Sequence, residues 1–154
     1  MSTKAATHPA VDYEADFYAW TQDQAEKLRA RRQNEIDWDN VAEEIDSVGR
    51  SQRKEIRHRL VVLLHHLLKW EYQPERRSNS WRASIGEARA EIRSEIDDSP
   101  SLRGYPDEVL ARQYWLAGLK AAEETNLSEA TFPEECPYSV EQILDPNYFP
   151  GTPS

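Results

Sequence analysis

The sequence contains little cysteine and little glycine, and both shortages exclude kinds of site. Cys136 is the only cysteine in 154 residues, so an internal disulfide and a thiolate metal site are both excluded. We therefore expect a packed, inert thiol in a reducing compartment. The five glycines form no cluster, which excludes a glycine-rich phosphate-binding loop.

Long hydrophobic runs are also missing. The longest apolar run, residues 60–68, is interrupted by His65 and His66 and is too short to cross a bilayer. The first ten residues, MSTKAATHPA, lack the apolar core of a signal peptide. We therefore expect a cytoplasmic protein that has no membrane partner.

Positive charge is scarce relative to negative charge. The chain has 19 Lys and Arg residues against 28 Asp and Glu residues, a formal net charge of -9. Such an acidic protein repels phosphate backbones, so we expect no general nucleic-acid binding unless a local basic patch overrides the net charge.

Apolar side chains recur every three or four residues along most of the chain, which is typical of amphipathic helices. No segment alternates like a strand over a useful length. The pattern predicts a first helix from Tyr13 to about Arg32, opened by Asp12, and a third helix from Trp81 to about Asp97, capped by Ser78 or Ser80. A fourth helix would have Pro106 in its first turn, run to about Thr125 and be closed by Asn126. A short helix is predicted over Val140–Leu144, because Ser139 and Gln142 have the spacing of a capping box.

The second helix is predicted to be unusually long. It would begin at Asp37 or Asp39 and end before Pro74, with Gly49 as the natural place for a bend. Its phase continues unbroken across Gly49, which favours one helix over two. Its apolar series is Val41, Ile45, Val48, Gln52, Ile56, Leu60, Leu63, Leu67 and Trp70, and its first half, rich in charged residues and glutamine, is expected to be more solvated.

The length of this helix has a consequence for shape. It would span roughly 50 Å, whereas a compact sphere of this chain length is about 40 Å across. Hence the helix bends, the molecule is elongated, or a partner covers its end. The prediction is an all-α, elongated helical bundle of about four main helices, with one long central helix and a C-terminal Pro-rich strap. Residues 1–11 would be a disordered arm, 12–150 a single helical domain and 151–154 a disordered tail.

Several stretches, taken in their order and spacing, resemble one known family. They are YEADFYAW at 13–20, DNVAEEIDSVGR at 39–50, LHHLLKW at 64–70, QPER at 73–76, SW at 80–81, SPSL at 99–102 and FPEECPY at 132–138. The chain resembles the bacterial family called domain of unknown function twenty-nine. The resemblance implies a helical bacterial domain without an assigned activity, and it supplies no site residues to carry over.

A basic, aromatic loop is the best candidate for binding an anion. Arginine offers forked donors, and a helix start offers free backbone N–H groups. The alternative is structural: Trp81 would anchor the core, Ser80 would cap a helix, and the arginines would pair with the excess acid. The candidate residues are Arg76, Arg77, Ser80, Trp81 and Arg82.

The candidates for acid–base catalysis are His65, His66, Glu43 and Glu44. A histidine between leucines has its pKa moved by burial. Adjacent histidines diverge by about 100° on a helix, so they do not form a metal pair, and we predict no metal or other cofactor. The alternatives are structural: one histidine bonds a carbonyl or a carboxylate, and the two glutamates form a solvated face or an ion pair from Glu44 to Arg82 or Arg89.

Since no catalytic motif is present, the sequence favours a binding protein over an enzyme. We expect a small interaction module that contacts a partner protein, or a second copy of itself as a homodimer, through the long helix or the 69–82 loop. The rival hypothesis is a ligand- or nucleotide-binding enzyme with a cleft formed by His65 or His66, Glu43, Glu44 and Arg82.

Overall fold

The computed structural model describes residues 11–151, and within that range every regular element is a helix. The all-α prediction with four main helices is therefore confirmed. The α-helices are α1 (Phe17–Arg29), α2 (Trp38–Tyr72), α3 (Asn79–Asp98), α4 (Tyr105–Thr125) and the short α5 (Val140–Leu144). Apart from Val11 and Gly151, the predicted N-terminal arm and C-terminal tail lie outside the described residues.

Helix α2 is continuous over 35 residues and passes through Gly49, as the unbroken apolar phase predicts. The chain divides into two compact units, Met1–Gly49 and Arg50–Ser154, and α2 contributes residues to both. The single domain predicted over residues 12–150 stays a prediction.

The first unit is built around Trp20, whose buried indole donates a 3.1 Å hydrogen bond to Asp37. Helix α1 begins four residues later than predicted. Residues 13–15 form a turn, and Asp16, rather than Asp12, caps the helix by accepting from the amide of Ala19. Arg31 adopts a left-handed conformation with φ of 60°, which stops the helix short of the predicted end.

Apolar faces of the first unit are much less buried than their spacing suggests. Phe17 and Leu28 on α1 are exposed, and so are Ile45 and Val48 on α2. Periodicity places side chains on one face, but burial also requires another element to cover that face.

The second unit holds the large hydrophobic core. From Ile56 onward the apolar series of α2 is buried, because α3, α4 and the C-terminal segment pack around it. Each fully buried Leu or Ile contributes about 1.5–3 kcal/mol relative to an exposed one. The fully buried core residues include Ile56, Leu60, Leu63, Leu64, Leu67, Leu68, Ile85, Ile92, Ala117, Ala121 and Ile143.

The C-terminal segment closes this core. Asn126 ends α4 in a left-handed conformation, and Ser139 and Gln142 form the predicted capping box of α5. Tyr148 and Phe149 pack against the core as the predicted strap. Arg89, which is 2 % exposed, holds the segment by donating to the carbonyl oxygens of Ile143 and Tyr148, each at 2.7 Å, and of Gln142 at 3.4 Å.

Replacing Gly49 by alanine should raise the free energy of unfolding by about 1 kcal/mol, because alanine is the better helix former. The added methyl group would meet no atom within 4 Å. Chemical denaturation followed by circular dichroism measures the change.

Gly86→Ala in α3 is the matched control, since its methyl group also enters open space. Stabilisation by Gly86→Ala without stabilisation by Gly49→Ala would contradict a continuous α2. Gly151→Ala should instead destabilise, because Gly151 has φ of +75° and its Cβ would lie 3.0 Å from Nη2 of Arg77.

Candidate functional site

The end of α2 and the start of α3 form a depression of about 420 Å³ in the second unit. It is lined by Trp70, Arg77, Ser78, Asn79 and Arg82. Helix α2 ends because Pro74 follows, and α3 begins because the hydroxyl of Ser78 accepts from the amide of Trp81 at 3.2 Å. These two helix ends bring the residues of the loop together.

Both arginines of the depression stack on aromatic rings. The guanidinium carbons of Arg77 and Arg82 lie 5.0 and 5.1 Å from the ring centroid of Trp70. Arg82 also lies 4.7 Å from the ring centroid of Phe149. Nε of Arg77 donates to the carbonyl of Trp70 at 2.8 Å, which fixes its orientation.

The structure brings together only part of the predicted anion-binding set. Arg77 and Arg82 line the depression, but Arg76, Ser80 and Trp81 are not among its lining residues. Trp81 packs under Lys69, whose Nζ lies 4.7 Å from the ring centroid. Of the two predicted caps, Ser78 is the one used. Asn79 was missed, because the predicted helix began two residues too late.

The two histidines of α2 bond to their own helix. Nδ1 of His65 lies 3.2 Å from the carbonyl oxygen of Val61, and Nδ1 of His66 lies 2.8 Å from that of Val62. Since a carbonyl only accepts, each Nδ1 carries the proton and each Nε2 is left with a lone pair. The structural alternative predicted for one histidine, a hydrogen bond to a backbone carbonyl, therefore holds for both.

His65 is 3 % exposed and belongs to a buried polar cluster with charged neighbours. Its Nε2 lies 3.6 Å from Oε1 of Glu124, too far for a hydrogen bond, and has no hydrogen-bond partner among the described residues. The same Oε1 accepts from Nζ of Lys69 at 2.7 Å, so Lys69 is buried as an ion pair. The rings of His65 and His66 are 4.1 Å apart.

This environment keeps His65 neutral. Burial, and then the neighbouring His66, lower the pKa of His65 to about 4, although the charge of Glu124 acts in the opposite direction. Burial also lowers the pKa of His66. Partial burial would raise the pKa of Glu124, but the hydrogen bond and charge of Lys69, together with His65, lower it. The cluster can accept a proton at Nε2 of His65, which could then donate to Glu124.

Glu43 and Glu44 belong to the first unit. Glu44 accepts a hydrogen bond from the hydroxyl of Tyr13, and this bond is the main reason why the pKa of Tyr13 rises to about 12. Arg82 and Arg89, the predicted alternative partners of Glu44, are engaged with aromatic rings and with backbone carbonyls. A catalytic role for these carboxylates and for the histidines stays a prediction.

Residues 11–151 contain no group of three or more His, Cys, Asp or Glu side chains placed to hold a metal ion. The thiol of Cys136 donates to the carbonyl of Tyr138 at 3.4 Å, and burial raises the pKa of Cys136. A raised thiol pKa leaves little thiolate, which fits the inert cysteine that the sequence predicts.

Exposed apolar side chains concentrate in the first unit. Among the described residues, six of the seven large apolar side chains that are exposed belong to it. Ile45 is 69 % exposed and Val48 is 71 % exposed. The six are Phe17, Tyr18, Leu28, Trp38, Ile45 and Val48, and the seventh, Trp115, lies in α4.

Comparison with known proteins identifies the family. The family model described as Domain of unknown function DUF29 matches residues 13–149, nearly the whole chain, so the chain belongs to this family and the resemblance is confirmed. Neither a curated protein nor a solved structure matches the chain. Across residues 11–151, no helix is long and apolar enough to span a membrane.

Because His65 is buried and neutral in the folded state, the free energy of unfolding should decrease as the pH falls. The unfolded histidine takes up a proton near its ordinary pKa of 6.5, whereas the folded one resists protonation down to about 4. The contribution of His65 is therefore complete above pH 6.5 and is lost between pH 6.5 and 4. The loss is at most roughly 3 kcal/mol.

Urea denaturation between pH 4 and 7.5 tests this dependence. His65→Asn keeps a donor to the carbonyl of Val61 but does not titrate, so its stability should fall less steeply than that of the wild type over this window. The control is His58→Asn, at an exposed position on the same helix. Parallel profiles for His65→Asn and the wild type would refute the assignment.

Proposed function

We propose that this member of the DUF29 family is a bacterial, cytoplasmic protein-interaction module that associates with a second copy of itself through its first unit. The observation that carries the proposal is the exposed apolar stripe on the first turns of α2, defined by Trp38, Val41, Ile45 and Val48. Three of the four side chains are exposed, and Val41 is partly buried.

The spacing of the stripe matches that of a helix-pairing surface. Trp38, Val41, Ile45 and Val48 follow one another at steps of three, four and three residues, so they share one face of the helix. Seven-residue recurrence of apolar side chains is the pattern by which two helices interdigitate. The stripe is therefore shaped for another helix rather than for a small molecule.

Small residues beside the stripe support a close approach. Ala42 and Gly49 are exposed and follow Val41 and Val48 by one position. A partner helix lying along the stripe would meet little steric obstruction on that side, because neither residue carries a side chain longer than a methyl group.

The first unit also lacks a core large enough to sustain it. Among its described residues only Trp20, Gln24 and Ile36 are buried. Folded segments of this size bury too small a share of their surface to be stable without help, and oligomerisation is one common source of that help. Association along the stripe would remove Ile45 and Val48 from water and supply part of the missing burial.

A second copy of the chain would provide both a matching helix surface for the stripe and the burial that the first unit lacks. It presents the same stripe with the same spacing, and a twofold axis would bury both stripes in one interface. The single cysteine, Cys136, fits a reducing compartment such as the cytoplasm. The family resemblance supports a bacterial source.

The double variant Ile45→Lys, Val48→Lys should be monomeric, whereas the wild type should be a dimer whose population rises with protein concentration. Two lysines at the centre of the stripe place like charges against their symmetry mates and remove the apolar contact. Size-exclusion chromatography with light scattering measures the mass, and circular dichroism checks that the helix content is unchanged.

Trp115→Lys is the matched control, because Trp115 is 58 % exposed but belongs to the second unit. It should leave the dimer intact. A wild type that stays monomeric at the highest soluble concentration would disprove self-association, and so would a double variant that dimerises as well as the wild type.

A further inference from the structure

We infer that the depression lined by Trp70, Arg77, Ser78, Asn79 and Arg82 binds the phosphate group of a small molecule or free phosphate. The site lies wholly in the second unit and is independent of the self-association proposed above. Four observations carry the inference: an unpaired guanidinium, a second guanidinium held rigidly, a concave shape with further donors, and the acidity of the rest of the chain.

Arg82 is the central observation. Among residues 11–151, no carboxylate pairs with its guanidinium and no oxygen accepts from it, and its side-chain contacts are with the rings of Trp70 and Phe149. Contact with two rings restricts the position of the guanidinium. A cation–π contact uses none of the five N–H groups in a conventional hydrogen bond, so these groups stay available to an anion.

Arg77 provides a second positive charge in a fixed position. Its Nε donates to the carbonyl of Trp70, and one terminal nitrogen, Nη2, lies 3.5 Å from the carbonyl of Pro150. These contacts use part of its donor set and leave the other terminal nitrogen, Nη1, for a ligand. Both guanidinium carbons lie about 5 Å from the same ring centroid, and both arginines line the same depression.

The lining of the depression includes further hydrogen-bonding residues. Ser78 and Asn79 lie at the start of α3, and the side-chain amide of Asn79 carries two N–H donors. A surface that combines unused donors with two cations is suited to an anion and unsuited to a cation or an apolar ligand.

The charge of the whole chain makes this concentration of basic groups informative. The formal net charge is -9, so carboxylates that could pair with arginines are abundant. Arg59 on α2 is paired in this way with Glu55 at 2.8 Å. The arginines of the depression have aromatic and carbonyl partners instead, which keeps their positive charge uncompensated.

The class of ligand follows from charge and size. Two guanidinium groups match a phosphate dianion better than a single carboxylate, because forked donors bind two phosphate oxygens at once. The depression, at about 420 Å³, has room for a phosphate group with a small substituent. Trp70 and Phe149 already stack on arginine, so they are not free to stack on a nucleobase.

Isothermal titration calorimetry of the full chain with inorganic phosphate, methyl phosphate and acetate tests the inference. The wild type should bind both phosphates saturably and acetate at least about tenfold more weakly, because acetate carries a single charge and fewer acceptor oxygens than a phosphate dianion. Tighter binding of inorganic phosphate would identify free phosphate as the ligand, and tighter binding of methyl phosphate would identify a phosphorylated small molecule.

Variants at Arg82 and Arg76 distinguish specific binding in the depression from non-specific attraction to surface charge. Arg82→Ala should weaken phosphate binding at least about tenfold, the loss expected for one charge-assisted hydrogen bond. Arg76→Ala removes the same charge from an exposed loop position that does not line the depression, and it should leave the affinity within about twofold. Arg82→Lys keeps the charge but loses the fork, so its affinity should be intermediate.

Circular dichroism of each variant establishes that the helices are retained. If Arg82→Ala does not fold, the affinity of Arg82→Lys is compared with that of the wild type instead. Equal weakening by Arg76→Ala and Arg82→Ala would overturn the inference in favour of diffuse electrostatic attraction. Absence of saturable binding of either phosphate to the wild type would overturn it outright.

Discussion

Burial of one stretch of α2, from Ile56 to Trp70, is the constraint on which the second unit depends. The stretch is apolar on nearly every side, so it needs neighbours on nearly every side, and α3, α4 and the C-terminal segment supply them. The same helix continues towards its N-terminus with polar residues around a narrow apolar stripe, and there it stays largely exposed. One helix therefore carries both fully buried and largely exposed apolar side chains.

This burial also decides the electrostatics of the second unit. Lys69 and His65 sit one helical turn apart on the buried stretch, and both are withdrawn from water. A buried ammonium requires a partner, which Glu124 on α4 provides, whereas a buried imidazole can give up its charge. Glu124 therefore satisfies the lysine at short range and leaves Nε2 of the histidine without a hydrogen bond. The geometry of the cluster follows from these unequal costs of desolvation.

The sequence predicts local helix features better than it predicts which apolar faces are covered by another element. Gly49 inside α2, the left-handed Asn126 and the capping box of α5 all follow from residue chemistry within a few positions, and all are confirmed. Whether a partner element covers Ile45 or Phe17 depends on tertiary packing, which periodicity does not encode.

For the same reason, the sequence predicts only part of the candidate site. Arg77 and Arg82 stand out by type, but Trp70 and Asn79 join them only because of where α2 ends and where α3 begins. Residues two positions apart on a helix differ by about 200° in direction, so Asn79 and Trp81 lie on opposite sides of α3. Trp81, assigned to the loop by proximity in sequence, thus lies over Lys69 instead.

Arg89 has an implication for how the chain is made. Its guanidinium is enclosed within the second unit, and burial lowers the pKa of Arg89 to about 10, yet its hydrogen-bond acceptors are backbone carbonyls contributed by residues 142–148. Any side chain at those positions can provide a carbonyl, so the identity of those residues is free to change provided that their path is kept. The acceptors also follow Arg89 by 53 to 59 residues, which means that α3 emerges from the ribosome carrying a cation whose native ligands do not yet exist. Completion of this unit during translation must therefore wait until residue 148 has been released.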